Sequence, residues 1–404
     1  MIVGIIGAGA SGMAAALTAS RNPDVQVLLF ERQARVGRKL QATGNGRCNL
    51  TNIHAAVDCY YGDEPTFAQY ALEHFNAQST LSWFQGMGLY SVIEASGRVY
   101  PYSDQANSVV DILRLSLCAD NITLHTGCEI EKIRKEADGF TLFSDNLSFF
   151  CNKLIIACGG LAGTKLGGTM SGYKLLAKLG HRATRLRPAL VQLKTQWKGV
   201  AALKGVRANC SICIQRDSVL HRQSKGELQF TEYGLSGPVV FEVSRDVCYG
   251  GGQWKAILDF LPDMPEKILE EEIVRRTKTS LSIEDLLTGI LHNRLGRVLT
   301  KAAGIGTKEQ VRNLNEIEIR QLVHTVKCFE IEITEPLGMD SAQVTAGGVL
   351  TNQFDPTTME SRIVPGLYAC GEVLDIDGDC GGYNLQWAWS SGRLAGMCAG
   401  EVNK

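Results

Sequence analysis

The chain has 404 residues, a length typical of two or three domains, with 45% hydrophobic and 21% charged residues. This composition excludes a largely disordered or fibrous chain. The balance of 41 basic against 42 acidic side chains argues against a protein that binds polyanions over its whole surface. Thirteen scattered cysteines favour reduced thiols in the cytoplasm, and we expect neither a membrane span nor a signal peptide.

The beginning of the chain predicts a βαβ unit. An apolar run at Ile2–Ile6 indicates a strand, alanine-rich sequence at Ala14–Ala19 indicates a helix, and a second apolar run at Val25–Phe30 ends at Glu31. The high glycine count, 43 against 10 prolines, suits an α/β fold with tight turns between strands and helices.

Helical and strand patterns then alternate, and the character of the sequence changes near Arg187. We predict helices around Thr66–Met87 and Gln105–Ala119, paired strands at Glu129–Arg134 and Phe140–Phe143, a buried strand at Leu154–Ala157, half-exposed strands at Val206–Gln215 and Leu228–Phe230, and a mostly helical stretch at Pro262–Phe329.

A glycine-rich pattern of strands and turns returns after Thr334, which resembles the first part of the chain. This return predicts one α/β domain that is built from both chain ends, residues 1–187 and 334–404. Between them we predict an inserted β-rich domain at 188–262 and a small helical domain at 263–333.

A glycine motif follows the first predicted strand directly. Gly7-Ala8-Gly9-Ala10-Ser11-Gly12 has the spacing GxGxxG and opens the predicted helix. Gly7 permits the tight turn, Gly9 lets a pyrophosphate approach the backbone, and Gly12 lets helix and strand pack closely. The helix N-terminus offers free N–H groups to phosphates, and Glu31 stands where it accepts hydrogen bonds from ribose hydroxyls. The pattern predicts a dinucleotide site.

The other chain end favours FAD over NAD as the bound dinucleotide. Gly366–Glu372 is an apolar strand that ends in glycine and an acid, and Gly381–Asn384 precedes a small-residue helix at Leu385–Ala399. A helix N-terminus placed in this way suits a ribityl chain, with its positive end near the N1–C2=O edge of a flavin.

Several longer segments are more specific than the glycine motif. They are Gly37–Leu40 with Thr43–Asn52, Ala157–Gly160, Phe230–Thr231 through Gly234–Pro238, Val344–Val349, and Gly371–Asp375 with Gly381–Trp387. On these segments the chain resembles the BaiN/YhiN-type flavoproteins, the aminoacetone oxidase family of FAD-binding enzymes in the glutathione-reductase-like group. The resemblance covers nearly the whole chain. It implies a Rossmann-like FAD-binding domain with an inserted β domain and a small helical domain.

The resemblance also implies which residues contact the cofactor. They are Gly7, Gly9, Ala10, Ser11 and Gly12 at the pyrophosphate, Glu31 at the adenosine ribose, Ile130 at the adenine, Lys39, Asn45 and Arg47 in a second glycine-rich loop, Gly371, Glu372, Asn384 and Leu385 along the ribityl chain and flavin, and Arg32, Gly159, Asp375, Gly382 and Tyr383 as further cofactor-binding residues. The chain departs from the family at Glu232, where a histidine is common, and at Cys380.

Two cysteines are candidate catalytic residues. A thiol of Cys48 or Cys380 at the substrate face of a flavin could donate a proton, and the alternative is that each is a small buried filler. Two interpretations are also open for Trp387 and Trp389, which either pack in the core or shield the flavin.

No metal site is predicted. Cys210 and Cys213 form a CxxC pair, but they lie in an alternating strand pattern without a second pair. Asp375, Asp377 and Asp379 lack the later glutamate of a calcium loop, so a solvated turn is favoured.

One stretch has a strong local charge. Residues 146–216 contain twelve Lys and Arg and no Asp or Glu. This stretch could steer an anion or a polyanion such as RNA toward the flavin, or acids elsewhere in the fold could balance it. The oligomeric state and the kind of substrate, small molecule or RNA, stay undecided.

Together these features predict an FAD-dependent oxidoreductase. Because no second GxGxxG follows a strand, NAD(P)H would bind only transiently as electron donor. The resemblance favours NAD(P)H-dependent reduction of a conjugated C=C bond, in a ribosomal RNA uridine or an enone-type small molecule. The alternatives are a flavin amine oxidase that uses O₂ on an aminoacetone-like substrate and a non-catalytic flavin-dependent RNA-binding factor.

Overall fold

The computed structural model of the protein describes residues 1–306 and 310–401, which form two compact units. The first, here called the split unit, comprises Met1–Arg187 and the chain from Gln343 onward. The second, here called the inserted unit, comprises Pro188–Ala342. The described residues include no helix that is long and apolar enough to cross a membrane.

A five-stranded parallel sheet forms the centre of the split unit. Its order is Leu367–Ala369, Lys153–Ile156, Ile2–Ile6, Gln26–Glu31 and Ile122–Thr126. Parallel strands that are covered on both faces have continuous apolar sequence, which is why these short runs could be recognised in the sequence. The βαβ unit predicted at the beginning of the chain is confirmed, and its helix begins earlier than predicted, at Ala10.

Helices cover this sheet, and the first and last of them pack directly on each other. The helices of the split unit are Ala10–Ala19, Arg38–Ala42, Gln69–His74, Ala77–Gly86, Ala106–Ser116, Ser171–Lys178 and Tyr383–Ala399. A Cβ atom at Gly396 would lie 2.3 Å from the carbonyl oxygen of Ala15, so only glycine fits where these two helices meet. The chain ends therefore share one core, as the sequence predicted.

Smaller antiparallel sheets complete the split unit. The predicted strand pair is a three-stranded sheet of Lys132–Glu136, Gly139–Ser144 and Leu147–Cys151. Another joins Thr51–Asn52, Arg98–Pro101 and Ser91–Ile93, and Tyr60–Tyr61 pairs with Asp377–Gly378.

A seven-stranded sheet and, among the described residues, four helices form the inserted unit. The strand order is Phe329–Ile333, Trp254–Asp259, Arg207–Arg216, Val219–Phe230, Gly234–Ser236, Leu193–Lys194 and Glu335–Pro336, and the helices are Pro238–Cys248, Glu266–Thr277, Asn293–Ala302 and Glu316–Lys327. The strand predicted at Leu228–Phe230 is the end of a twelve-residue strand whose first half is largely exposed and shows no alternation of buried apolar residues.

The helical and β-rich segments of the inserted unit share one hydrophobic core. Leu269, Leu299 and Leu322 from the helices belong to the same cluster as Phe230 and Leu258 from the sheet. The separate helical domain predicted at 263–333 stays a prediction, and in this structure its apolar side chains are buried against the β-rich segment.

Candidate functional site

The glycine-rich turn of the split unit exposes the N-terminus of the first helix. No side chain caps this helix, whose N-cap residue is Gly9. A Cβ atom at Gly9 would meet no heavy atom within 4 Å, so the space in front of the helix is open. Free N–H groups and the positive end of the helix dipole therefore face a region that can hold an anionic group such as a diphosphate.

Gly12 lies behind this opening, against the turn itself. A Cβ atom at Gly12 would lie 1.8 Å from the carbonyl oxygen of Gly7, and Gly7 has a φ of +106° that side chains rarely adopt. The backbone N–H of Gly7 donates to the carbonyl of Phe30, at 2.8 Å, which joins the turn to the second strand. The motif thus fixes a tight strand-to-helix connection.

Glu31 ends the second strand beside this turn. Its Oε2 atom accepts a hydrogen bond from the N–H of Ala8 at 3.0 Å, and its Oε1 atom accepts one from the N–H of Gln33 at 2.8 Å. A carboxylate has about four acceptor positions, so this partly exposed group retains capacity for ribose hydroxyls.

The predicted cofactor-binding residues gather at one edge of the parallel sheet. Each of five strands is followed at its carboxyl end by at least one of them: Gly7, Gly9, Ala10, Ser11 and Gly12 after Ile2–Ile6, Glu31 and Arg32 at Gln26–Glu31, Ile130 after Ile122–Thr126, Gly159 after Lys153–Ile156, and Gly371, Glu372 and Asp375 after Leu367–Ala369. This edge is where open parallel sheets bind their ligands.

An ion pair links the second glycine-rich loop to the last strand of this edge. Lys39 Nζ lies 2.8 Å from Glu372 Oε2, and the other carboxylate oxygen, Oε1, accepts the N–H of Thr345 at 2.9 Å. The sequence predicted Lys39 and Glu372 as separate cofactor contacts, and the structure brings them together.

The remaining predicted residues of the C-terminal segment surround the beginning of the last helix. Gly382 is the N-cap residue of this helix, followed by Tyr383, Asn384 and Leu385, and no side chain caps it. The Asn384 amide accepts from the N–H of Gly378 and donates to its carbonyl, both at 2.8 Å. Asn384 therefore holds the preceding turn in place.

Asp375 is buried, and it also holds a neighbouring segment in place by a hydrogen bond to the backbone. Its Oδ2 atom accepts the N–H of Asp63 at 3.2 Å. Arg32 donates through Nη2 to the carbonyl of Gly167 at 3.0 Å, and Ile130 is buried. Their contacts with a cofactor stay predictions.

Ion pairs and a contact with an aromatic ring fix the loop that carries Asn45 and Arg47. Arg47 pairs with Glu94 at 3.0 Å and also with Asp104, and its guanidinium lies 3.9 Å from the centroid of the Tyr100 ring. Exposed Asn45 has a φ of +56° inside this loop.

Two side chains that the sequence analysis did not single out lie beside this loop and the last helix. Arg98 and Tyr100 alternate along the strand Arg98–Pro101, so both side chains point to the same face. A Cβ atom at Gly381 would lie 2.9 Å from Arg98 Nε, and one at Gly44 would lie 3.4 Å from Tyr100 Cε1. The sequence signal for these two residues was only the alternation along a four-residue strand. The glycines that they lie against, Gly44 and Gly381, are distant from them in sequence.

The predicted catalytic cysteines differ in their surroundings. Cys48 is completely buried, and burial raises the pKa of its thiol to about 12, while a hydrogen bond with Thr43 acts in the opposite direction. Cys380 is partly buried, near Tyr100. A catalytic role for either thiol stays a prediction.

The Cys48 thiol should resist alkylation in the folded protein. With a pKa of about 12, only about one thiol in ten thousand is ionised at pH 8. We expect iodoacetamide to label exposed Cys118 within minutes and Cys48 only after unfolding in urea, as followed by peptide mass spectrometry. Equal labelling rates of the two cysteines in the folded protein would contradict this burial.

The two tryptophans of the last helix belong to the core. Trp387 donates through Nε1 to the carbonyl of Gly371 at 3.1 Å, and Trp389 donates to the carbonyl of Leu50 at 2.9 Å. Both side chains are almost fully buried. Of the two interpretations left open above, core packing is the one the contacts support.

Neither a metal site nor a single basic face is evident in residues 1–306 and 310–401. This part of the chain contains no group of His, Cys, Asp and Glu side chains that could hold a metal ion. The basic stretch is divided between the two units. Within the inserted unit, acids partly balance it through the ion pairs Lys194–Glu335, Lys204–Glu232 and Arg207–Glu227.

Comparison with known proteins places the chain in a family. Residues 1–398 match the family described as HI0933-like protein Rossmann domain. The chain belongs to this family. The match confirms the resemblance to the BaiN/YhiN-type flavoproteins that the sequence motifs indicated.

Two curated relatives extend over the full length. The chain is 39% identical to a 3-dehydro-bile acid delta(4,6)-reductase of Clostridium scindens, covering 99% of both chains. It is 33% identical to a ribosomal RNA dihydrouridine synthase of Escherichia coli, covering 98% of this chain and 97% of the relative. Among solved structures, a 3-ketosteroid delta1-dehydrogenase of Sterolibacterium denitrificans aligns with a TM-score of 0.51 at 13% identity, over 98% and 99% of the two chains, which shows the common fold.

Family and site together identify an FAD-dependent oxidoreductase. The residues present fit FAD, because the open helix N-terminus at Gly9 suits a diphosphate and the carboxylate of Glu31 suits a ribose. The predicted fold class, a Rossmann-like domain built from both chain ends, is confirmed.

Proposed function

We propose that this flavoprotein uses NAD(P)H to reduce a carbon–carbon double bond that is conjugated to a carbonyl group. The observation that carries the proposal is the full-length relative named as a delta(4,6)-reductase, at 39% identity. The second relative is named for a product, dihydrouridine, whose ring is uracil with its C5=C6 bond saturated. Both names describe hydrogen addition to a C=C bond next to a carbonyl.

Bound FAD would supply a two-electron carrier between the nicotinamide donor and the double bond. The residues of the chain position it. The N–H groups at the beginning of the helix Ala10–Ala19 hold the diphosphate, and Glu31 holds the adenosine ribose. The N-terminus of the helix Tyr383–Ala399 lies at the same end of the split unit and favours negative charge near it.

We favour a small enone over RNA as the substrate. The reductase is the more similar of the two relatives, and acids balance part of the basic stretch that would otherwise attract a polyanion. RNA stays the second candidate because its relative also matches over the full length. Thirteen free cysteines support a cytoplasmic location for either reaction.

Anaerobic half-reactions test the proposal. The purified holoenzyme is mixed with NADH or NADPH, and its absorbance near 450 nm is followed. The reduced enzyme is then mixed with a 3-oxo-Δ4 steroid, with the corresponding saturated ketone, with unmodified ribosomal RNA, or with O₂. We expect bleaching by a nicotinamide and rapid reoxidation by the enone, but none by the saturated ketone.

Other outcomes would replace the proposal with a named alternative. Reoxidation by RNA alone would favour uridine reduction. Peroxide release from aminoacetone and O₂ without NAD(P)H would identify an amine oxidase. No bleaching, together with tight and salt-sensitive RNA binding, would indicate a non-catalytic RNA-binding factor.

A further inference from the structure

The strand Arg98–Pro101 presents two polar side chains on one face, against both glycine-rich segments near the predicted flavin. Arg98 lies against Gly381, directly before the N-cap residue of the last helix, and Tyr100 lies against Gly44 in the second glycine-rich loop. The strand is fixed on both sides, since it pairs with Thr51–Asn52 and with Ser91–Ile93. The two side chains therefore project from a rigid element.

Tyr100 is buried but keeps an unused hydroxyl group. The residue is 8% exposed, and its hydroxyl makes no hydrogen bond within residues 1–306 and 310–401. The hydroxyl oxygen is not among the fully enclosed, unpaired polar atoms of the described residues, so it reaches the surface and is free to donate to a bound molecule. Burial raises the pKa of Tyr100, so the hydroxyl keeps its proton at neutral pH.

Arg98 is a cation without an acidic partner in the described part of the chain. Arg47 on the same side is neutralised by Glu94 and Asp104, whereas no carboxylate lies within ion-pair distance of Arg98. Its guanidinium is partly buried, beside Gly381. A guanidinium in this position can donate hydrogen bonds to an oxygen that becomes negative.

We propose that Arg98 and Tyr100 form the substrate side of the active site. Arg98 binds the carbonyl oxygen of an α,β-unsaturated ketone, and the Tyr100 hydroxyl donates the proton to its α-carbon. This inference rests on the proposed function and adds the binding group and the acid that the reaction needs.

The reaction then balances in atoms and electrons. NAD(P)H is the reductant: it gives up a hydride equivalent and becomes NAD(P)⁺, and the bound FAD would pass that hydride equivalent to the β-carbon, where the new C–H bond forms. The π electrons of the C=C bond move toward the carbonyl and give an enolate, whose oxygen Arg98 stabilises. The α-carbon takes the proton as the Tyr100 O–H bond breaks, and water returns a proton to the tyrosinate.

Tyr100 fits the role of acid better than Cys48 does. The Cys48 side chain has no exposed surface, so its proton is neither accessible nor easily replaced. The guanidinium of Arg98, which has no ion-pair partner among the described residues, lies near Tyr100 and stabilises the tyrosinate that is left after transfer.

The Tyr100→Phe variant tests the acid, with Tyr102→Phe as matched control. Tyr102 is 76% exposed on the same segment. In Tyr100→Phe we expect FAD content and reduction by NAD(P)H to stay within about twofold of wild type. Reoxidation by cyclohex-2-enone should fall by about a hundredfold or more, the usual effect of losing a general acid. Unchanged reoxidation would overturn the assignment, and loss in Cys48→Ala or Cys380→Ala alone would transfer the role to that thiol.

Ligand binding tests Arg98 independently of turnover. Phenols resemble enols, and their binding to the oxidised holoenzyme is followed as a change in the visible flavin spectrum with 4-chlorophenol. We expect Arg98→Gln to raise the Kd at least tenfold and Arg98→Lys to recover most of the affinity, while Tyr100→Phe changes it little. An unchanged Kd in Arg98→Gln would overturn the binding role. Wild-type enzyme that binds the phenol but is not reoxidised by any enone would refute the proposed function instead.

Discussion

Replacing Gly12 with alanine should destabilise the split unit and give protein without FAD. The added methyl group would lie 1.8 Å from the carbonyl oxygen of Gly7, which belongs to a turn that is tied to the second strand. Overpacking against backbone typically costs 1–3 kcal/mol, so we expect a loss of about 3 kcal/mol in the free energy of unfolding. Urea unfolding of the apoprotein and the ratio of absorbance at 450 and 280 nm measure the two effects.

Two other glycines provide controls that separate folding from cofactor binding. Gly9→Ala adds a methyl group into open space, so the apoprotein should be as stable as wild type while FAD binds more weakly, because the diphosphate approaches there. Gly86→Ala, also into open space at the end of a helix, should change neither property. Normal stability of Gly12→Ala, or strong destabilisation of Gly9→Ala, would refute this division of roles.

Gly396→Leu should prevent the two chain ends from packing. The first and last helices approach so closely that even a Cβ atom at Gly396 would lie 2.3 Å from the carbonyl of Ala15. A leucine must separate the helices and expose the apolar side chains between them. We expect little soluble protein and a melting temperature at least 10 °C lower, which corresponds to about 3 kcal/mol at the scale of 2–4 °C per kcal/mol.

The matched control is Met397→Leu in the next position of the same helix. Met397 is partly exposed, and leucine has a similar volume, so its yield and thermal unfolding should resemble wild type. If Gly396→Leu unfolds at the wild-type temperature in circular dichroism, the close approach of the two helices is not essential to the fold.

The sequence was most informative where the structure depends on local pattern. The strand Ile2–Ile6, the glycine motif and the strand Gln26–Glu31 follow one another within a few residues, and each carries its own apolar run or turn signal. The last helix was also recognised, because its small residues are contiguous; it begins at Tyr383, two residues before the prediction. Elements of this kind can be predicted without knowing which distant residues they contact.

The antiparallel strands of the inserted unit were harder to recognise. Trp254–Asp259 and Phe329–Ile333 pair with each other across the helical segment and were not predicted as strands. In Phe329–Ile333, glutamates alternate with buried apolar residues, so five residues give too short a signal beside a long helical pattern. Their pairing partner, far along the chain, decides their structure.

The candidate site shows the same limit. Lys39 and Glu372 were both predicted, but their ion pair joins residues 333 positions apart and has no local signature. Arg98 and Tyr100 are unremarkable in sequence. They become candidate site residues because they lie against Gly381 and Gly44, and this proximity exists only in the folded chain.

The place where the chain leaves the split unit has a consequence for how such enzymes diversify. Thr184, just before the departure, donates its backbone N–H to the carbonyl of Gly348, just after the return, at 2.8 Å. The inserted segment therefore leaves and rejoins the split unit at two adjacent positions. A genetic exchange of the inserted segment alone would leave the sheet edge with Gly9 and Glu31 intact, so the cofactor-binding edge can be inherited unchanged while the inserted unit diverges.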